Sequence, residues 1–130
     1  MIAYLDTSAA VKILKDEPDS DAVKRYLNGL AANEDSISSS TLLETELRRA
    51  AVRQGVSQTT VTAILDRLDI VDLSRSMFRE AGVLAEPSLR SLDALHLVAA
   101  LRVGADVLIS YDQRQIEAAQ SMGIRTLSPG

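Results

Sequence analysis

"MIAYLDTSAAVKIL" (residues 1–14) is the stretch on which the reading of this chain turns. Met1 to Leu5 is a short apolar run of the kind that forms a buried strand, and Ser8 to Leu14 has the spacing of a helix. Asp6 stands at the junction, with the hydroxyls of Thr7 and Ser8 behind it. A strand that runs directly into a helix is the first half of a βαβ unit. The carboxylate at the turn has two readings. It caps the helix by accepting from orphan backbone N–H groups, or it takes part in chemistry with other acids delivered to the same edge.

The rest of the sequence repeats the alternation. "DAVKRYLNGL" (21–30) is helical, with Val23, Tyr26, Leu27 and Leu30 on one face, and Pro18 marks the turn before it. "DSISSS" (35–40) is a weakly signalled second strand. "TLLETELRRAAVRQG" (41–55) is a helix closed by Gly55, and "SQTTVTAILDRL" (57–68) carries Val61, Ile64, Leu65 and Leu68 at helical spacing. "DIVDL" (69–73) alternates like a strand, and "SRSMFREAGVLAE" (74–86) is helical up to Pro87. "RSLDALHLVAALRVG" (90–104) is the clearest helix, with Leu92, Leu95, Ala99 and Val103 as its inner stripe and Ser91 as its cap. "DVLISY" (106–111) is an apolar strand, "DQRQIEAAQSMG" (112–123) a helix, and "IRTLS" (124–128) a last strand. Strands alternating with helices predict an α/β fold: a three-layer α/β/α sandwich around a mainly parallel sheet. Sites in such sheets lie at the carboxyl ends of the strands, near the point where the strand order reverses.

The 130 residues make one domain, 1–130, without linker, repeat or low-complexity tract. A 46% hydrophobic and 25% charged composition is that of a globular protein. There is no Cys, which excludes disulfides and thiolate metal sites and fits a cytoplasmic location. No apolar run reaches the roughly 18 residues of a membrane span, and the N-terminus lacks the basic region of a signal peptide. A formal charge of -4 argues against gripping nucleic acid by bulk electrostatics. If the chain handles RNA, it needs a local basic patch or bound cations.

Four regions supply acids. Asp6 and Asp112 each end a strand and precede a helix, so in a parallel sheet both side chains emerge on one edge. Asp93 lies in the first turn of its helix, where the dipole alone would favour it by about 0.3–1 kcal/mol. Glu44 and Glu46 share one helix. At about 100° per residue Glu44 falls beside Arg48, as in an exposed ion pair, and Glu46 falls on the other flank of the apolar stripe; periodicity does not choose between them. Two carboxylates about 4 Å apart repel by ~4 kcal/mol at an effective dielectric near 20. A cluster of them raises its own pKa values or demands a counter-ion. With no Cys and a single His the donor set is all oxygen, which suits Mg²⁺, with Mn²⁺ as an alternative. Ser110, two residues before Asp112, points the same way along its strand. His96, at the edge of the apolar stripe, reads as structural rather than as a general base. Arg48, Arg49, Arg53, Lys12 and Lys15 are candidate phosphate contacts, each of which is otherwise an ordinary solvated side chain.

"MIAYLDTSAAVKIL", "STLLETELRRA" (40–50), "LRSLDALHLVAAL" (89–101) and "LISYDQRQIEAA" (108–119) together resemble the PIN-domain family, and in particular the VapC-type toxins of bacterial toxin–antitoxin pairs. The likeness spans nearly the whole chain, in order. It implies a metal-dependent endoribonuclease whose acidic quartet is Asp6, Glu46, Asp93 and Asp112, so the resemblance selects Glu46 over Glu44. All four would serve as catalytic and metal-binding residues, with Ser110 and Thr7 in support. It further implies a VapB-type antitoxin that blocks the acidic pocket, a structured RNA substrate such as tRNA or rRNA, and a homodimer. Two other functions use a strand-end Asp. A dehalogenase-type phosphatase wants a second Asp where Ser8 stands, and a receiver domain wants a Lys after a late strand that is absent after "LISYD". A non-catalytic module that receives a basic peptide on the same acids is the remaining alternative.

Overall fold

A computed structural model describes every residue from Met1 to Gly130. Its sheet has five strands: β1 (Ile2–Leu5), β2 (Ser36–Ser40), β3 (Asp69–Val71), β4 (Val107–Ile109) and β5 (Arg125–Leu127). They lie in the order β3-β2-β1-β4-β5, and every pairing is parallel. The chain builds one half of the sheet outward from β1, then returns to lay β4 against its other side. The reversal of strand order therefore falls between β1 and β4, whose carboxyl edge is where sites form in open α/β sheets.

Helices cover both faces. Helix α1 (Thr7–Ala10), continued by a 3₁₀ turn (Val11–Ile13), packs on one face with α2 (Ser20–Ala32), α3 (Thr41–Gln54) and α4 (Gln58–Leu65). Helices α5 (Arg75–Gly82), α6 (Ser91–Arg102) and α7 (Gln113–Ser121) cover the other. Strand alternation divides the core between them. Ala3, Leu5, Val107 and Ile109 face the first layer, and Tyr4 and Leu108 the second. This is the three-layer α/β/α sandwich that the sequence predicts.

Two expectations about α6 need correction. Arg90, not Ser91, is the N-cap, and no side chain caps the helix. Asp93 is consequently the third helical residue, where an acid can reach back toward the cap backbone, and the Arg90 backbone lowers its pKa. The inner stripe also shifts: Leu92 is exposed and Val103 is only half-buried, while Ala94 to Ala100 is buried without a break. A helix wedged between the sheet, α5 and α7 is apolar nearly all round, so a single stripe does not describe it. Gly55 ends α3 at φ 67°, a left-handed conformation that explains why the helix stops there.

Candidate metal-dependent nuclease site

Asp6 follows β1 and is 4% exposed. Its Oδ1 accepts from the Ala9 amide at 3.1 Å and from the Ser8 hydroxyl at 2.7 Å; its Oδ2 accepts from Ser110 at 2.5 Å. The capping reading of Asp6 therefore holds: one oxygen caps α1, while the other is held by Ser110 just beyond β4. Burial pushes its pKa up, and the hydroxyls of Ser110 and Ser8 only partly offset this.

Ser110, fully buried at the end of β4, ties two of the acids together. It donates to Asp6 and accepts the Asp112 amide at 3.1 Å, and it lies 3.3 Å from Ser8. Asp112 caps α7, with Oδ1 accepting from the amides of Arg114 and Gln115 at 3.0 and 3.3 Å, which leaves Oδ2 without a protein partner. Asp93 lies close enough to feel that charge. Burial raises its pKa, Asp112 raises it further, and the Arg90 backbone and His96 pull the other way.

Glu46 comes from α3 on the opposite side of the sheet. Its Oε1 accepts from Thr7 Oγ1 at 2.6 Å and from His96 Nε2 at 2.7 Å. Burial pushes its pKa up, but the hydrogen bonds from His96 and Thr7 outweigh that and hold it below the usual carboxylate range. Glu44 instead pairs with Arg48 at 3.2 Å on the exposed side of α3. Thus Glu46 is the acid of this helix that reaches the edge where Asp6 stands.

Asp6, Asp112 and Glu46 and both supporting hydroxyls lie along this edge in one connected set, Asp112 and Asp6 through Ser110 and Glu46 through Thr7, the residue that follows Asp6, while Asp93 is coupled to Asp112 through charge alone. They are not drawn into a single sphere, since no three His, Asp or Glu side chains stand close enough together to hold an ion as placed. The donor chemistry nonetheless fits a hard cation. Asp6 and Asp93 are buried or half-buried with raised pKa values, and none of Asp6, Asp93 and Asp112 is paired with a Lys or Arg. An uncompensated acidic set of this kind calls for external positive charge.

His96 is the buried, structural residue that the sequence suggests, with partners that the sequence does not show. Both ring nitrogens are engaged, Nδ1 with the Tyr4 hydroxyl at 2.8 Å and Nε2 with Glu46. Periodicity recognises a His among leucines as core; only the packing of α6 against β1 and α3 reveals its partners. The candidate phosphate contacts thin out as well. Arg48 is bound to Glu44, Gln58 and Thr62, and Lys12 pairs with Glu17 while lying 5.0 Å from the centre of the Tyr111 ring. Arg90, directly before α6, and Arg114, two residues after Asp112, are exposed cations that no motif in the sequence singles out.

The model of the PIN domain family matches residues 3–120. Ribonuclease VapC47 of Mycobacterium tuberculosis is 34% identical over 131 residues, covering 98% of this chain and 96% of the relative. Ribonuclease VapC46 from the same species is 37% identical over 129 residues, covering 97% and 96%. The chain belongs to the PIN-domain family, among the VapC ribonucleases. Solved VapC-type structures share its fold at lower identity. VapBC2 of Rickettsia felis, bound to a promoter DNA fragment, superposes with a TM-score of 0.75 at 23% identity over 98% of each chain. VapC20 of M. tuberculosis, a toxin that cleaves the sarcin–ricin loop, gives 0.71 at 15% identity, covering 89% of this chain and 94% of that one. No helix of the present chain is long and apolar enough to cross a membrane.

Proposed function

We propose that this PIN-domain protein is the ribonuclease toxin of a VapBC-type pair, working in the cytoplasm as a Mg²⁺-dependent endoribonuclease. The observation that carries the reading is the uncompensated acidic set at the carboxyl edge of β1 and β4, gathered around a buried Asp6. Asp6, Asp93 and Asp112 would hold the cation, and Glu46 would help position it or the attacking water. A divalent ion bound there supplies an activated water and neutralises charge at phosphorus. Ser110 and Ser8 keep Asp6 oriented at this edge, Thr7 orients Glu46, and the cap of α7 holds Asp112.

The substrate is a structured RNA, tRNA or rRNA. Arg90 and Arg114, beside Asp93 and Asp112, suit the flanking phosphates of a chain whose net charge is negative. A VapB-type antitoxin neutralises the enzyme by placing a basic side chain on the same acids, and the toxin forms a homodimer. The decisive test is Asp6→Asn. It is expected to abolish cleavage of total bacterial RNA, as chelation of the wild type should, while the fold stays intact. Cleavage by a cleanly purified Asp6→Asn protein would refute the assignment. Activity unaffected by chelator would refute the metal dependence.

A further inference from the structure

We infer that His96, held by Tyr4, is a positioning residue for Glu46, so that this acid meets the pocket through Oε2 alone. The inference rests on the nuclease reading of the acidic set and extends it one layer deeper.

The geometry is a relay across three elements. Tyr4, fully buried in β1, has its hydroxyl 2.8 Å from His96 Nδ1, and the two rings meet edge to face with centroids 5.8 Å apart. On its other side, His96 Nε2 lies 2.7 Å from Glu46 Oε1. The Glu46 carboxylate can only accept, so Nε2 supplies the hydrogen of their bond, and in the neutral ring Nδ1 is then the acceptor for the Tyr4 hydroxyl. Thr7 Oγ1, 2.6 Å from the same oxygen, donates as well. Thr7 in turn lies 3.1 Å from Nε2 and closes a triangle of side chains from α1, α3 and α6.

Both donors thus converge on one oxygen, and no protein group hydrogen-bonds Oε2. Glutamate has three side-chain torsions, and an unclamped carboxylate at a pocket rim would exchange its oxygens and tilt freely. Fixing Oε1 during folding removes that freedom before any ion or water arrives, as preorganised sites require. His96 is only 3% exposed, and both of its ring nitrogens are committed to protein partners. His96 therefore acts through Glu46.

The test uses the full chain and two gentle variants, Tyr4→Phe and His96→Gln, with melting temperatures recorded beside function. In the metal-free protein, the ¹⁵N resonances of the His96 ring should report a protonated Nε2; a ring bare at Nε2 would overturn the inference. Each variant is expected to lower the rate of cleavage of total bacterial RNA about tenfold or more with KM little changed, and to weaken Mn²⁺ binding several-fold by calorimetry.

A double-mutant cycle with Glu46→Gln then separates positioning from packing. If His96 works through Glu46, adding His96→Gln to Glu46→Gln costs little further Mn²⁺ affinity or rate. Equal losses in both backgrounds, or wild-type rate in His96→Gln, would sink the relay. Asp6→Asn run in parallel identifies which idea has failed. An active Asp6→Asn overturns the nuclease site itself, whereas an inactive Asp6→Asn beside an unimpaired His96→Gln overturns only the relay.

Discussion

Ser110→Ala is the most informative single substitution outside the acids themselves. The hydroxyl it removes is fully buried and makes two useful contacts, donating to Asp6 at 2.5 Å and accepting from the Asp112 amide at 3.1 Å. A hydrogen bond to an ionised group contributes about 1.5–3 kcal/mol, and the loss of the neutral one about 0.5–1 kcal/mol more. The expected cost at neutral pH is therefore about 3 kcal/mol. For a chain of this length that corresponds to a fall in Tm of about 10 °C.

The pH dependence makes the prediction specific. Burial already raises the pKa of Asp6 in the folded protein, and Ser110 is the first of the groups that restrain it. Because the native state holds this proton more tightly than the unfolded chain, Asp6 adds stability at acid pH that is lost as pH rises through its folded pKa. Removing Ser110 moves that folded pKa higher still. The cost of Ser110→Ala should thus be small, about 1 kcal/mol, near and below the ordinary Asp value of 3.8. It should grow as pH rises through the raised folded-state pKa of Asp6. Urea denaturation of both proteins from acid to neutral pH measures it. A loss that stays the same across the range would show that Ser110 does not stabilise an ionised Asp6.

Other outcomes follow from the same geometry. At a hundredfold excess over Kd, Mg²⁺ or Mn²⁺ should stabilise the protein by ~2.7 kcal/mol; no shift in a thermal melt would contradict a metal-binding acidic set. Since the pKa values of Asp6 and Asp93 are raised, protons compete with the ion, and calorimetric affinity should weaken as pH falls toward the carboxylate range. Glu44→Gln removes only an exposed ion pair with Arg48 and should change stability by less than about 0.5 kcal/mol with cleavage unaltered. An activity loss comparable to that of Glu46→Gln would mean that the wrong acid of α3 has been chosen. Leu43→Ala empties a fully buried position on the same helix and should cost about 2–5 kcal/mol in denaturant while leaving Mn²⁺ affinity intact in the folded protein.

Much of the architecture is written locally. The passage from "MIAYL" through Asp6 into a helix, and from "DVLISY" into Asp112 and α7, depends on neighbouring residues alone: an apolar run, a short acid that caps, then a helical period. Each is legible because strand, cap and helix are contiguous in the chain. Boundaries dependent on packing were less legible. Ser91 looked like a cap by composition, yet Arg90 takes the extended backbone that makes it the cap residue, and the buried flanks of α6 hide the stripe expected of it.

The sequence by itself determined the alternation of strands and helices, the all-oxygen donor set and the two acids at strand ends, because these are properties of residue types and of neighbours along the chain. Only the tertiary structure decided which glutamate of α3 reaches the edge, that Ser110 joins Asp6 to Asp112, and that His96 spends both nitrogens on Tyr4 and Glu46. Apart from the local Ser110–Asp112 bond, those contacts join residues 50 to 104 positions apart. Strand order and the layering of helices bring such residues together, and no local spacing along the chain encodes that approach.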